Sequence, residues 1–204
     1  MKLRAVLGSD LHFSQNAPVS RAAEPDWFAA QKRYIDQVAA IVHSEDVPFI
    51  VAGDIFDKWY APSATPELVN ALIDSLPKKT FAIPGQHDLP EHRYDARHRS
   101  PFGTLVRAGA VRELCPGEPA GVGPKLFAWA FPWGFPVKPL PPEIKAEYGS
   151  GALHLAVVYE YIWVSGHSYP GASLDQYADR FRDKLAGYDA AVFGDNHKGF
   201  MVGS

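Results

Sequence analysis

Four short stretches place carboxylates, imidazoles and an amide at comparable points of the chain. They are Asp10 and His12 in "SDLHF", Asp54 and Asp57 in "GDIFD", Gln86, His87 and Asp88 in "GQHD", and Asp195 and His197 in "GDNH". Each follows an apolar run with glycine at its end, as a buried strand would. Singly, each has an ordinary explanation: a chance pair, a turn, or an Asp capping the next segment. Four in series do not, because the carboxyl ends of strands are where a parallel α/β sheet gathers its chemistry. Residues two apart in an extended segment point the same way, so Asp10 and His12 can grip one cation together. Two cations about 3.5–4 Å apart clamp a phosphate, and a hydroxide held between them attacks in line. A carboxylate, with two oxygens and a negative charge, is the natural bridge.

The elements that would position these residues are legible as apolar periodicity. "LRAVLG" (3–8), "VPFIVAGD" (47–54) and "KTFAIPG" (79–85) predict strands. Between the first two, Trp27, Ala30, Tyr34, Val38 and Ile41 fall at three- and four-residue steps and predict a helix. Pro66 opens a second helix with a stripe of Leu68, Leu72, Ile73 and Leu76, stopped by Pro77. This alternation implies a parallel sheet with right-handed crossovers. "AVREL" (110–114), "KLFAWAF" (125–131), "ALHLAVVYEY" (152–161) and "AAVFGDNH" (190–197) predict further strands, with a Pro-rich loop over 132–143. Ser173 and Gln176 predict a capping box opening a helix along Leu174, Tyr177, Phe181 and Leu185, ended by Gly187.

The 204 residues predict a single domain over 1–204. A net charge of −3 excludes nucleic-acid binding through bulk charge, so such contact requires a local patch. One cysteine, Cys115, cannot form an internal disulfide; it reads as a packing residue in a reducing compartment. The N-terminus is too short and too soon polar for a signal peptide, and no apolar run approaches a membrane span. A cytoplasmic protein without membrane contact is expected.

The order "DLH", "GDIFD", "GQHD", "GDNH" resembles the calcineurin-like metallophosphoesterase superfamily: Asp-x-His, Gly-Asp-x-x-Asp, Gly-Asn-His-Asp/Glu, a later His, and Gly-His-x-His. "SDLHFS", "GDIFD" and "IPGQHD" look most like its Mre11/SbcD-type nuclease branch, short phage-encoded members included. The resemblance implies a four-layer α/β/β/α sandwich. Family members continue past the closing motif, and with this sequence ending at "GFMVGS" the sandwich is expected to lack some of its C-terminal strands, as in a naturally short, truncated or decayed member. It also implies that Asp10, His12, Asp54 and His197 hold one metal. Asp54 bridges to a second, held also by Gln86 and Asp195. His87 then stabilises or protonates the leaving oxygen, oriented by Asp88, and Asp57 supports the ligands from behind.

Three departures from the pattern matter. Gln86 replaces Asn, Asp195 replaces the first closing His, and Tyr159 stands where the later His belongs. His167, in the following loop, is the rival ligand; His154, at the strand's other end, reads as structural. A phenol of pKa about 10 is a reluctant ligand, so a weakened second site and reduced activity are expected. Fewer imidazoles favour Mn or Mg over Zn; two Mn ions are the expected cofactors, with Mg, Fe or Zn as alternatives. Arg93 and Arg97, near the third cluster, suit flanking phosphates, and Trp133 suits base stacking. The expected activity is hydrolysis of a phosphodiester, in a nucleic acid or nucleotide. The alternatives are a phosphomonoesterase or an impaired member serving as an interaction scaffold.

Overall fold

Two four-stranded sheets build the molecule, seen in a computed structural model that describes residues 2–202. In the first, β1 (Val6–Gly8), β2 (Phe49–Ala52), β3 (Thr80–Ile83) and β4 (Arg112–Glu113) lie side by side in that order, all parallel. In the second, β5 (Ala120–Gly123) runs antiparallel to β6 (Leu126–Phe131), and β7 (Leu153–Tyr159) and β8 (Ala190–Gly194) follow in parallel. Every residue of β2 and β3 is buried, as strands covered on both faces must be.

Alternation along the strands divides the interior into three cores, and hence the fold into four layers. Phe49 and Val51 face outward, against α1 (Trp27–Glu45), α2 (Pro66–Ser75) and α3 (Pro101–Arg107). Ile50 and Ala52 face the second sheet, meeting Leu155, Val157 and Tyr159 of β7. Ala156 and Val158 turn to the far side, under Val137, Ile162 and Phe181. Because β1, β2, β3, β7 and β8 share one direction within their sheets, their carboxyl ends can converge at one edge. Two hydrogen bonds described below, Asp195 N to Asp10 and the Tyr159 hydroxyl to Asp54, join the sheets there.

Helix α1 begins at the Asp26 cap, whose carboxylate accepts from Ala29 N, and ends at Asp46 in the left-handed region. Its buried face is only partly the expected one, with Ala30 buried and Val38 packed on the core. Ala30, Gln31, Ile35 and Val42 are buried, whereas Tyr34 and Ile41 lie exposed on the outer side. Helix α2 follows its expected stripe, with Thr65 as its N-cap and Pro66 at N1.

The helix expected from Ser173 is interrupted. A 3-10 turn over Leu174–Gln176 is followed by a one-turn α5 (Ala178–Phe181). Ser173 Oγ accepts from Asp175 N, so the capping box does not form. Between the two turns Tyr177 is extended, because its neighbours pair with Trp163 (Trp163 N to Gln176 O, Ala178 N to Trp163 O). Strand β5, helix α3 and a short α4 (Pro142–Glu147) lie outside the expected elements. Cys115 is exposed rather than packed in the core.

Candidate metal centre

Past β1 the chain leaves the extended conformation at once. Asp10 and His12 have φ of 53° and 45°, Asp54 has 50°, and Asp195 has 82°. This left-handed region is costly for residues with a Cβ and recurs at functional sites. The convergence of Asp10 and His12 therefore does not come from strand alternation, as expected, but from two left-handed residues in a loop. That loop is laid onto the end of β2 by Asp10 N to Gly53 O (3.0 Å), His12 N to Asp54 O (3.0 Å) and Phe13 N to Ile55 O (2.8 Å).

The result is a compact ligand group. Donor atoms of Asp10, His12 and His197 all lie within 4.8 Å of one another. His12 Nε2 faces His197 Nε2 at 3.1 Å, His197 Nε2 lies 3.8 Å from Asp10 Oδ1, and Asp54 Oδ2 lies 3.8 Å from His12 Nε2. The second sheet is tied in by Asp195 N, which donates to Asp10 Oδ1 at 2.8 Å. Burial, followed by the neighbouring His197 and His87, lowers the pKa of His12 and favours the neutral imidazole with a free lone pair. Asp54 is pushed up to about 6, first by burial and against the hydrogen bond from Tyr159. Asp195 is raised by burial and then by Asp10. Among the described residues no Lys or Arg forms an ion pair with Asp10, Asp54, Asp57, Asp88 or Asp195. Crowded carboxylates without a counter-cation, opposed imidazole nitrogens and mixed N/O donors fit a divalent ion at Asp10, His12 and His197.

A second ion fits less well. Tyr159 reaches the site from the end of β7, and its hydroxyl donates to Asp54 Oδ2 at 2.5 Å. Burial and then the adjacent Asp54 push its pKa far up, in keeping with a protonated hydroxyl donating to Asp54. His167 is placed elsewhere, with its ring against Phe200 at 5.7 Å and its carbonyl accepting from Tyr161 and Asn196. Gln86 opens the 3-10 turn Gln86–Asp88, and its backbone carbonyl accepts from His92 Nδ1. His12, Asp57 and His87 form another close group, sharing His12 with the first.

His87 and Asp88 separate in role. His87 Nδ1 lies 2.6 Å from the carbonyl oxygen of Asp57 and donates to it, while its ring stands edge-on to His12 at 5.2 Å. Its backbone N donates to Asp54 Oδ1 at 2.9 Å. Asp88, expected to orient His87, does not touch that ring. Its Oδ2 accepts from Ile55 N and Gly85 N and its Oδ1 from Phe56 N, pinning the loop after β2 to the loop after β3. Asp88 bonds only backbone N–H groups among the described residues, and the acceptor on His87 Nδ1 is a backbone carbonyl. Burial and then Asp54 raise the Asp88 pKa to about 8, opposed by those three N–H donors.

Several supporting residues escaped the sequence reading. Gln31, on α1, accepts from Ser14 N and donates to Ser14 O. Ser14 Oγ meets Ser63 Oγ at 2.9 Å, and Ser63 Oγ donates to Asp57 Oδ2 at 3.2 Å. This chain sets Asp57, whose Oδ1 lies 3.9 Å from the buried and otherwise unpartnered His12 Nδ1. Asn196 donates to the carbonyls of Ile162 and His167, fixing the loop that carries His197. A buried Gln on a predicted helix face was the one available signal, and its polarity hid it.

The residues considered for substrate are engaged. Arg93 pairs with Asp95 at 2.5 Å. Arg97 pairs with Glu113 at 2.5 Å and lies over the Tyr94 ring. Trp133 packs against Tyr159, ring centroids 6.1 Å apart. His154 is 1% exposed and accepts from Trp129 Nε1 at 3.1 Å, the structural placement expected. Beside the centre opens a cleft of about 280 Å³, lined by His12, Ser14, Asn16, Asp57, Lys58 and Tyr60 among others. Among the described residues no helix is long and apolar enough to cross a membrane.

The profile of the calcineurin-like phosphoesterases matches residues 3–199, a span that takes in all four polar clusters. No curated protein matches the chain. With two sheets between helical layers and a carboxylate–imidazole centre where their strand ends meet, the chain belongs to the calcineurin-like phosphoesterase family, whose chemistry is metal-dependent phosphoester hydrolysis.

Proposed function

We propose that this chain is a phosphodiesterase acting on a nucleic acid or nucleotide, with Asp10, His12 and His197 as the ligands of its catalytic metal, Asp54 beside them, and Mn as the preferred ion. The observation that carries the reading is the position of His87. One ring nitrogen is committed to the Asp57 carbonyl, and the ring abuts His12 of the ligand group. With Nδ1–H held there, Nε2 is the nitrogen left to work on substrate. As imidazolium it donates a proton to the departing ester oxygen; as imidazole it accepts one. A bound divalent ion supplies Lewis-acid polarisation of the phosphoryl group and a hydroxide nucleophile near neutral pH. Asp57 and the Ser63–Ser14–Gln31 chain hold His12 from behind.

The cleft supports a diester over a monoester. It opens on the His12 and Asp57 side, with room for the second ester substituent, and Lys58 offers it a positive charge. The test compares bis(p-nitrophenyl) phosphate, p-nitrophenyl phosphate, single-stranded DNA and RNA as substrates with Mn, Mg or Zn after chelation. Turnover of diesters restored best by Mn is expected. His87→Ala should lose about 10²–10⁴-fold in kcat with Mn binding intact. Hydrolysis of the monoester alone, or a parental rate in His87→Ala, contradicts the reading.

A further inference from the structure

We infer that this chain holds one divalent ion rather than two, and that the Tyr159 hydroxyl occupies the place of the second. The inference rests on the metal-dependent reading above and fixes its stoichiometry.

Asp54 is the carboxylate placed to bridge two ions, and both of its oxygens already carry a protein donor. Oδ2 accepts from the Tyr159 hydroxyl at 2.5 Å and Oδ1 from His87 N at 2.9 Å. The donor at Oδ2 is fixed in place. Tyr159 is 3% exposed, and its ring is wedged among three glycines. A β-carbon on Gly53, Gly85 or Gly194 would stand 2.2, 2.4 or 2.9 Å from Cδ2 or Cε2 of the ring, so the backbone of all three glycines packs directly against that edge. Trp133 packs against the same ring in a T-shaped arrangement, centroids 6.1 Å apart. Buried and packed in this way, the ring holds its hydroxyl against Asp54.

Side-chain length explains the substitution. An imidazole at position 159 would stop roughly 2 Å short of the present hydroxyl, about one metal–nitrogen bond. The phenol oxygen thus projects into the space that an imidazole would leave for its ion. There it meets Asp54 with a hydrogen bond in place of a coordinate bond. Asp54 and Asp195, the carboxylates nearest that space, join neither convergent ligand group. The second group, His12 with Asp57 and His87, offers no separate site. It shares His12 with the first, and a neutral imidazole has one lone pair.

The test is Mn titration of the metal-free protein by calorimetry, with electron paramagnetic resonance of the bound ion. The wild type should take up one Mn per chain with the spectrum of an isolated ion. Tyr159→His should take up two and show exchange coupling, with unchanged circular dichroism. Two ions of comparable affinity in the wild type overturn the inference and leave the metal-dependent reading standing. So does a folded Tyr159→His that still binds one. If Tyr159→His does not fold, Tyr159→Asn, shorter and able to ligate, is read in the same terms. No bound ion in the wild type overturns both readings, and loss of the single ion in Asp10→Ala locates it.

Discussion

Substituting Asp88 separates a positioning role from a catalytic one, and the geometry sets the expected size of the effect. In Asp88→Asn the amide oxygen can take the place of Oδ2 and keep the N–H groups of Ile55 and Gly85. The amide nitrogen then faces the Phe56 N–H, which loses its acceptor at 2.9 Å. One buried donor left unsatisfied costs about 1–3 kcal/mol. Asp88→Ala strands all three donors, a cost of about 3–9 kcal/mol before the relief of no longer burying a carboxylate. Against a total stability of about 5–15 kcal/mol, the Ala variant sits at the edge of folding. Urea denaturation should give a midpoint lowered in Asp88→Asn and far lower in Asp88→Ala. At about 2–4 °C per kcal/mol for a chain of this size, Tm of Asp88→Asn should fall by roughly 2–12 °C. Per folded molecule, kcat of Asp88→Asn should stay within a few-fold of wild type. An unchanged midpoint with kcat reduced a hundred-fold would refute the argument and return Asp88 to the chemistry of His87.

The remaining predictions concern charge. Burial lowers the pKa of His154, so its folded-state pKa lies below its unfolded value of 6.5. Its contribution is then fully present above pH 6.5 and lost as pH falls through the folded pKa, because the unfolded chain binds the proton first. The difference in unfolding free energy between wild type and His154→Phe should therefore acquire a slope below that pH; a difference flat from pH 7.5 to 5 would contradict it. Lys58→Ala should raise KM for a dinucleotide severalfold and leave KM for p-nitrophenyl phosphate unchanged, as expected if Lys58 meets the second ester substituent; equal effects on both would remove the cleft from the reading.

The polar clusters were legible because strand ends in a parallel sheet are few and face one edge; the order of Asp10, Asp54, His87 and His197 along the chain already implied their meeting. Orientation was not legible. "GQHD" places His87 beside Asp88, and adjacency suggests a pair, yet the 3-10 turn sends the two side chains to opposite partners. The stripe of α1 was legible only in part: Ala30 and Val38 face the core as expected, but Gln31, Ile35 and Val42 take the places expected of Tyr34 and Ile41, and the polar Gln31 broke the apolar pattern. Gln31 is buried there for the sake of Ser14, a long-range demand that no local pattern records. Likewise the helix after Ser173 breaks because Trp163 pairs across Tyr177, a tertiary contact overriding a sound periodicity. Strand β5, "AGVG", has too little apolar content to announce itself.

A one-ion centre changes which protein groups must do the rest. A single divalent cation brings two positive charges to Asp10, Asp54 and Asp195, three carboxylates that crowd one another as burial raises two of them. Nothing is then left over to offset an incoming phosphodiester anion. In a two-ion site the second cation does that work; here Asp54 is satisfied by a neutral hydroxyl, which holds the carboxylate in place and adds no charge. The deficit falls to cations of the chain itself. His197 is largely solvent-exposed but would spend its nitrogen on the ion, which leaves His87 beside the ligand group and Lys58 at the cleft to meet the substrate. The same geometry that costs the site an ion thus raises the weight of His87. It also makes Tyr159→His the change that should weaken dependence on His87 while it doubles the metal count.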